Sequence, residues 1–270
     1  MEEALLLVGC GKMGGALLAG WLERAIEPRR ITVIEPNDAS AALAKRHGVQ
    51  VHPGPELLDP AYRPTAVVFA VQPQTLDEVA PLYRGYAGPG AVFLSIAAGK
   101  SIASFERYLG TQAAIVRAMP NIAAAVRRGI AVAVANNNVT DSQRSQCQTL
   151  LEAVGEAAWV AEEGLLDPVT AVSGSGPAYV FLLIECLAEA AVAAGLPADL
   201  AMRLARATVI GAGELARQSG ERAEILRRNV TSPGGTTAAA LEVLMGPEGL
   251  KPLMVRAVAA ATRRSIELAS

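Results

Sequence analysis

Residues 167–196, DPVTAVSGSGPAYVFLLIECLAEAAVAAGL, divide the chain into two halves of different character. Upstream, short apolar runs alternate with helix-like stretches, whereas downstream only helical patterns occur. Within the dividing run, Pro177 suits a first helical position, Ala178 to Ala194 contains neither Gly nor Pro, and Gly195 with Pro197 closes the segment. A long helix is therefore predicted, with Ser173, Gly174, Ser175 and Gly176 ahead of it as flexible or capping residues. Its roughly 17 residues fall short of the ~20 that a bilayer requires and include Glu185 and Glu189, so the expectation is a buried core helix and no membrane partner.

The first half opens with an apolar run, Ala4 to Val8, followed by Gly9-Cys10-Gly11-Lys12-Met13-Gly14 and an amphipathic stretch from Gly15 to Arg24. That order reads as strand, tight turn, helix. A GxGxxG pattern alone is a weak signal, and a glycine-rich turn without a ligand is the bland alternative. In this setting the glycines permit the turn, let backbone approach a pyrophosphate and allow close helix packing. Ile31 to Ile34 forms a second strand ending at Glu35, near where a carboxylate accepts hydrogen bonds from an adenosine ribose, with Asn37 beside it. A carboxylate suits a bare ribose better than a 2′-phosphate.

Ala66 to Val71 and Val92 to Ile96 are continuous apolar runs, as parallel strands covered on both faces require. Strand ends in a doubly wound sheet form the ligand crevice, so Val71, Gln72 and Pro73, and Ala97, Ala98 and Gly99, are expected to line it, although an ordinary turn explains either stretch. Ala114 to Met119, Ile130 to Val134 and Ala157 to Ala161 supply further strands, with a helix at Thr140 to Val154. The fold class expected is α/β: a Rossmann-like, doubly wound, mostly parallel sheet in residues 1–162 and an all-helical domain in residues 163–270.

Helical patterns in the second half cover residues 198–217, 221–227, a stretch ending at Leu244, and 248–268. Such apolar-faced helices rarely bury themselves, so another subunit is expected to cover them. They are interrupted by Asn229-Val230-Thr231-Ser232-Pro233-Gly234-Gly235-Thr236-Thr237. Two glycines and two threonines at a helix start leave backbone N–H groups available to a carboxylate, while the hydroxyls can serve a neutral heteroatom. The alternative is that Thr236 and Thr237 merely cap the helix.

Composition narrows the chemistry. A net charge of −2 with scattered signs gives no field for nucleic acid. Cys10, Cys147 and Cys186 are odd in number and lack metal-ligand spacing, which favours reduced thiols in a cytoplasmic protein and no metal. The acidic start, MEEALLLVGCG, is unlike a signal peptide. His47 and His52, read as ordinary surface or core residues, both lie in the first half, and the lysines are Lys12, Lys45, Lys100 and Lys251. Ketone reduction needs a proton donor beside the carbonyl, and the second half offers no convincing one; a protonated imine is already an electrophile and needs mainly placement.

VGCGKMGGALLAG, VFAVQPQ, SIAAGKSI, VRAMPNIAAAV, the 167–196 run and RNVTSPGGTTAAALEVL resemble, in order and over nearly the whole chain, the motifs of delta-1-pyrroline-5-carboxylate reductases. The resemblance implies reduction of 1-pyrroline-5-carboxylate to L-proline with NADPH or NADH, a helical dimerisation domain, and a homodimer able to assemble further into a decamer. It implies cofactor contacts at Gly9 to Met13, Glu35, Val71 to Pro73 and Ala97 to Gly99, and substrate contacts at Glu163, Asn229, Thr236 and Thr237. On this reading the Gly235 to Thr237 backbone holds the carboxylate, Gly234 belongs to the same substrate-binding set, and the Thr237 hydroxyl bonds the ring nitrogen, with Glu163 the best candidate if a general acid exists. Gln72 stands where a basic residue is common in the family and Glu35 where a small hydroxyl residue is common, which argues for NADH being used at least as well as NADPH. Two other classes stay open: a different Rossmann dehydrogenase or imine reductase with a helical second domain, and a dinucleotide-binding protein without turnover. A 3-hydroxyacid enzyme would need a catalytic lysine near residues 167–196, where none stands.

Overall fold

Aliphatic runs without polar alternation must be covered on both sides, and the sheet that they form is. In the computed structural model, which describes residues 4–269, the strands are β1 (Leu5–Val8), β2 (Ile31–Ile34), β3 (Gln50–His52), β4 (Ala66–Phe69), β5 (Val92–Ser95), β6 (Ala114–Met119), β7 (Gly129–Ala135) and β8 (Gly155–Trp159). The acidic start, Met1 to Glu3, lies outside the described residues. Strand order is β3-β2-β1-β4-β5-β6-β7-β8. The first six are parallel, β7 runs antiparallel to β6, and β8 parallels β7.

Helices α1 (Lys12–Glu23), α2 (Asp38–Lys45), α3 (Leu76–Val79), α4 (Ile102–Leu109) and α5 (Asp141–Glu152) connect the strands. Leu5 and Leu7 join one core with Leu17, Trp21 and Leu151; Leu6 and Val8 join another with Tyr83, Phe105 and Leu109. The two-residue period of a strand thus feeds both layers. Trp21 is fully buried and its Nε1 donates to the Leu150 carbonyl at 2.9 Å, tying α1 to α5.

Three local expectations are corrected. β3 was not foreseen: it is a three-residue, partly exposed edge strand with polar ends, too short to show a period. α1 begins at Lys12 rather than Gly15, because Gly11 takes the N-cap position. β8 begins two residues before the predicted Ala157, since Gly155 already pairs with Gly129.

After β8 comes a turn at Glu163–Leu165, then α6 (Leu166–Val169), a π-helical turn at Thr170–Gly174, and α7 (Gly176–Ala193). Ser173 and Gly174 are therefore helical rather than flexible, Gly176 is the first residue of α7, and Ser175 holds the N-cap position between them without a side-chain bond. Thr170 Oγ1 donates to the Leu166 carbonyl at 2.7 Å, and a Cβ on Gly174 would lie 2.7 Å from Met119 Cε. Because the turn carries the helix through, the run Glu163–Ala193 spans 31 residues rather than the roughly 17 expected, and exceeds the ~20 that a bilayer requires. Nor is α7 a buried core helix within the chain: only Ala188 is buried, and Phe181, Leu182 and Leu183 are exposed. By length and composition alone this run could cross a membrane.

The remaining elements are α8 (Ala198–Gln218), α9 (Ala223–Asn229), α10 (Thr236–Leu244) and α11 (Leu250–Ala269), with no strand after β8 among the described residues. One compact unit comprises the chain through Gly174 plus the residues from Thr262 onward, and the other is Ser175–Ala261. The first unit thus runs past residue 162. Leu166 packs with Val132 and Val134, and Ser265 Oγ donates to Asp167 Oδ1 at 2.7 Å.

Candidate active site

The glycine-rich turn follows β1, at the edge where the parallel strands end. Gly9 has φ +90°, and a Cβ there would meet Val71 Cγ1 at 2.8 Å. A Cβ on Gly14 would lie 2.3 Å from the Gly9 carbonyl oxygen. Around Gly11, by contrast, no atom comes within 4 Å of the position that a Cβ would take. Gly11 caps α1 without a side-chain partner, and the Gly15 amide is the first to bond back, to the Gly11 carbonyl at 2.8 Å. The amides of Lys12, Met13 and Gly14 are left for an anion, on the positive end of a twelve-residue helix.

Glu35 directly follows β2, and it is buried. Its Oε2 accepts from the Cys10 amide at 2.7 Å and its Oε1 from the Asn37 amide at 2.9 Å. The carboxylate therefore ties the turn after β1 to the turn after β2, and each oxygen keeps a lone pair for a ribose hydroxyl. The Asn37 side chain is spent on capping α2, accepting from the Ser40 amide at 3.1 Å. Burial and the Glu35 charge push the Cys10 thiol up to about 11, so it is a neutral spacer at physiological pH. A crevice of about 570 Å³ brings together Gly9, Gly11, Glu35, Val71 and Gln72, and adds Glu56. Sequence reasoning missed Glu56 because the unpredicted β3 leads into it. Neither Lys nor Arg is among the residues lining this crevice.

Pro73 opens a short 3₁₀ turn after Gln72, whose carbonyl accepts from the Thr75 amide and hydroxyl. Ala97, Ala98 and Gly99 follow β5 and lie off the crevice lining. The Ala97 amide donates to Ser95 Oγ at 3.3 Å, and Gly99 has φ +74°. Lys100 Nζ pairs with Asp77 Oδ1 at 2.6 Å, with Tyr108 donating to the same oxygen. The hydrogen bond to Lys100 holds the Asp77 carboxyl below its ordinary range. Glu163 is found on this same unit, where its Oε1 accepts from the Ile102 amide and from Arg117 Nη1, both at 2.8 Å.

Asn229 closes α9 rather than lying in the loop, and its Nδ2 donates to Glu221 Oε2 at 3.3 Å. Gly234 has φ +68°, which lets the chain turn into Gly235, the N-cap of α10. Since the cap is a glycine with no side-chain bond, Thr236 and Thr237 are the first helical residues and do not cap. The first amide to bond back is Ala239, to the Gly235 carbonyl at 3.2 Å. The amides of Thr236, Thr237 and Ala238 are thus free for an anion beside uncommitted threonine hydroxyls. Among the described residues no group of three or more His, Cys, Asp or Glu side chains could hold a metal ion.

Comparison with known proteins is consistent along the whole chain. The family description "Pyrroline-5-carboxylate reductase dimerisation" matches residues 163–268, and "NADP oxidoreductase coenzyme F420-dependent" matches residues 4–99. The pyrroline-5-carboxylate reductase of Synechocystis sp. is 39% identical over 269 residues, covering 99% of this chain and 99% of that protein. A pyrroline-5-carboxylate reductase structure from Coxiella burnetii superposes with a TM-score of 0.92 at 32% identity, covering 100% of both chains. The Plasmodium falciparum pyrroline carboxylate reductase, solved with NADP bound, has a TM-score of 0.81 at 29% identity, with 100% of this chain and 99% of that one covered.

Proposed function

Since the chain belongs to the pyrroline-5-carboxylate reductase family, we propose that its glycine-rich turn and its Gly234–Thr237 loop serve one reaction, the reduction of 1-pyrroline-5-carboxylate to L-proline in the last step of proline biosynthesis. The observation that carries this reading is the start of α10, where three free amides suit the substrate carboxylate and the Thr237 hydroxyl is available to the ring nitrogen. Asn229 borders the same loop. When bound, a reduced nicotinamide supplies the hydride that the imine carbon accepts.

The first unit fits such a cofactor. The open space at Gly11 and the amides of Lys12, Met13 and Gly14 would hold a pyrophosphate, and Glu35 a ribose, with Val71 to Pro73 and Ala97 to Gly99 along the neighbouring strand ends. Glu35 and Glu56 make the crevice acidic, which supports NADH being bound at least as well as NADPH. Hydride addition to the imine already protonated on nitrogen gives the neutral amine and leaves neither alkoxide nor nitrogen anion, so placement by amides and one hydroxyl suffices. A second copy of the chain covers the apolar faces of α7 and its neighbours, which places them in a dimer rather than a membrane, and dimers can assemble further into a decamer. The protein works in the cytoplasm.

Chromatographic detection of L-proline formed from 1-pyrroline-5-carboxylate and NADH by the purified protein tests the reading. Absence of proline with both NADH and NADPH would contradict it.

A further inference from the structure

We propose that Arg117 and Glu163 form a positioning pair that fixes the Ala97–Ser101 loop for the nicotinamide cofactor, an inference that rests on the crevice holding that cofactor. Arg117 lies mid-strand in β6 with its side chain 9% exposed, and among the described residues Glu163 is its one ion-pair partner. A buried guanidinium requires a counter-charge, and the Glu163–Leu165 turn delivers it. The same carboxylate oxygen accepts from the Ile102 amide, the first N–H of α4. Glu163 thus locks the end of the loop that leads from β5 to α4.

The loop is also tied down on either side of Ala98 and Gly99. Ser95 Oγ holds the Ala97 amide, Lys100 pairs with Asp77 in α3, and Ser101 caps α4 by accepting from the Ser104 amide. Asp77 follows the Val71–Pro73 segment, so Lys100 links the two strand ends expected to flank the cofactor. A reactant misplaced by 1 Å costs about 10²-fold in rate, so a loop held at every end is a device for placement. Glu163 acts here through the loop and not as a proton donor.

NADH is titrated onto the protein by fluorescence without the imine, and kinetics and unfolding midpoints are measured beside it. Glu163→Ala should raise the NADH Kd about ten-fold, the loss expected for one charge-assisted hydrogen bond, with the pH profile of kcat unchanged. Glu163→Gln, which keeps an acceptor for Ile102, should recover part of the loss. Should Glu163→Ala fold poorly by stranding Arg117, the double variant Arg117→Met with Glu163→Met removes both charges and should show the same rise in Kd. NADH binding equal to wild type with only a lower unfolding midpoint would overturn the proposal. So would intact NADH binding with kcat down by three orders of magnitude and an altered pH profile. If the wild type itself neither binds NADH nor reduces the imine, the functional reading falls and this inference with it; a normal wild type with unaffected variants removes this inference alone.

Discussion

Alanine at two glycines of the turn separates what the turn needs to fold from what it needs to bind. At Gly14 the new Cβ would sit 2.3 Å from the Gly9 carbonyl oxygen, against the 3.0 Å that real Cβ contacts respect. The neighbour is backbone, which cannot swing aside as a flexible side chain would. The turn must open by at least the 0.7 Å between those two distances. Overpacking of this kind costs roughly 1–3 kcal/mol, and the rigidity of the neighbour argues for about 3. For a unit of this size that lowers the unfolding midpoint by roughly 6–12 °C. Gly11→Ala should behave oppositely. No atom stands within 4 Å of its Cβ and its φ of −69° suits alanine, so the midpoint should hold or rise slightly. The methyl group would instead occupy the approach to the Lys12, Met13 and Gly14 amides, weakening NADH by roughly ten- to a hundred-fold. Calorimetry and NADH fluorescence titration on the two variants decide the matter. Unchanged NADH affinity in Gly11→Ala, or an unshifted midpoint in Gly14→Ala, would refute the division of labour.

Glu35→Ser should shift the NADPH-to-NADH ratio of kcat/KM upward by about ten-fold or more, since a carboxylate and a phosphate a few ångströms apart repel by roughly 1–4 kcal/mol. It should also weaken NADH, because the Cys10 and Asn37 amides lose their acceptor; a wild type already preferring NADPH by ten-fold would remove the argument. Thr237→Ala should lower kcat/KM by roughly ten- to a hundred-fold, the cost of one hydrogen bond to a partly charged group, while Thr237→Ser stays near wild type in steady-state assays. Cys10 and Cys147 should resist a thiol reagent at pH 8 until the protein is unfolded, since both are buried and protonated. Because Cys10 is raised from 9.0 to about 11 on folding, its contribution to stability is present below pH ~9 and lost as pH climbs through ~11, which denaturant titrations across that range would detect. Light scattering at micromolar concentration should give a dimer or a larger assembly, and a monodisperse monomer would exclude the covering of α7 by a second copy.

Much of the molecule was legible because its periods are long and unmixed. The parallel strands announce themselves as uninterrupted aliphatic runs, and Glu35 and the glycines fall at positions set by the strand–turn–helix geometry. β3 escaped notice because three partly exposed residues carry no period, and Glu56 was lost with it. The Thr170–Gly174 π-turn escaped because glycine and serine ordinarily signal a break, whereas here the close approach of Met119 favours Gly174 and the helix runs on. Composition alone could not show whether the apolar face of α7 turns inward or toward a neighbour. The role assigned to Glu163 depended on tertiary neighbours, Arg117 and Ile102, that lie 46 and 61 residues away in sequence.

Initial rates with 1-pyrroline-5-carboxylate, using NADH and NADPH at matched concentrations and a 2-oxo acid as the control substrate, separate imine reduction from ketone reduction in one assay. Imine-dependent cofactor oxidation is expected, with one L-proline formed per hydride, NADH serving at least as well as NADPH, and no turnover of the ketone. Reduction of the ketone without reduction of the imine would contradict it.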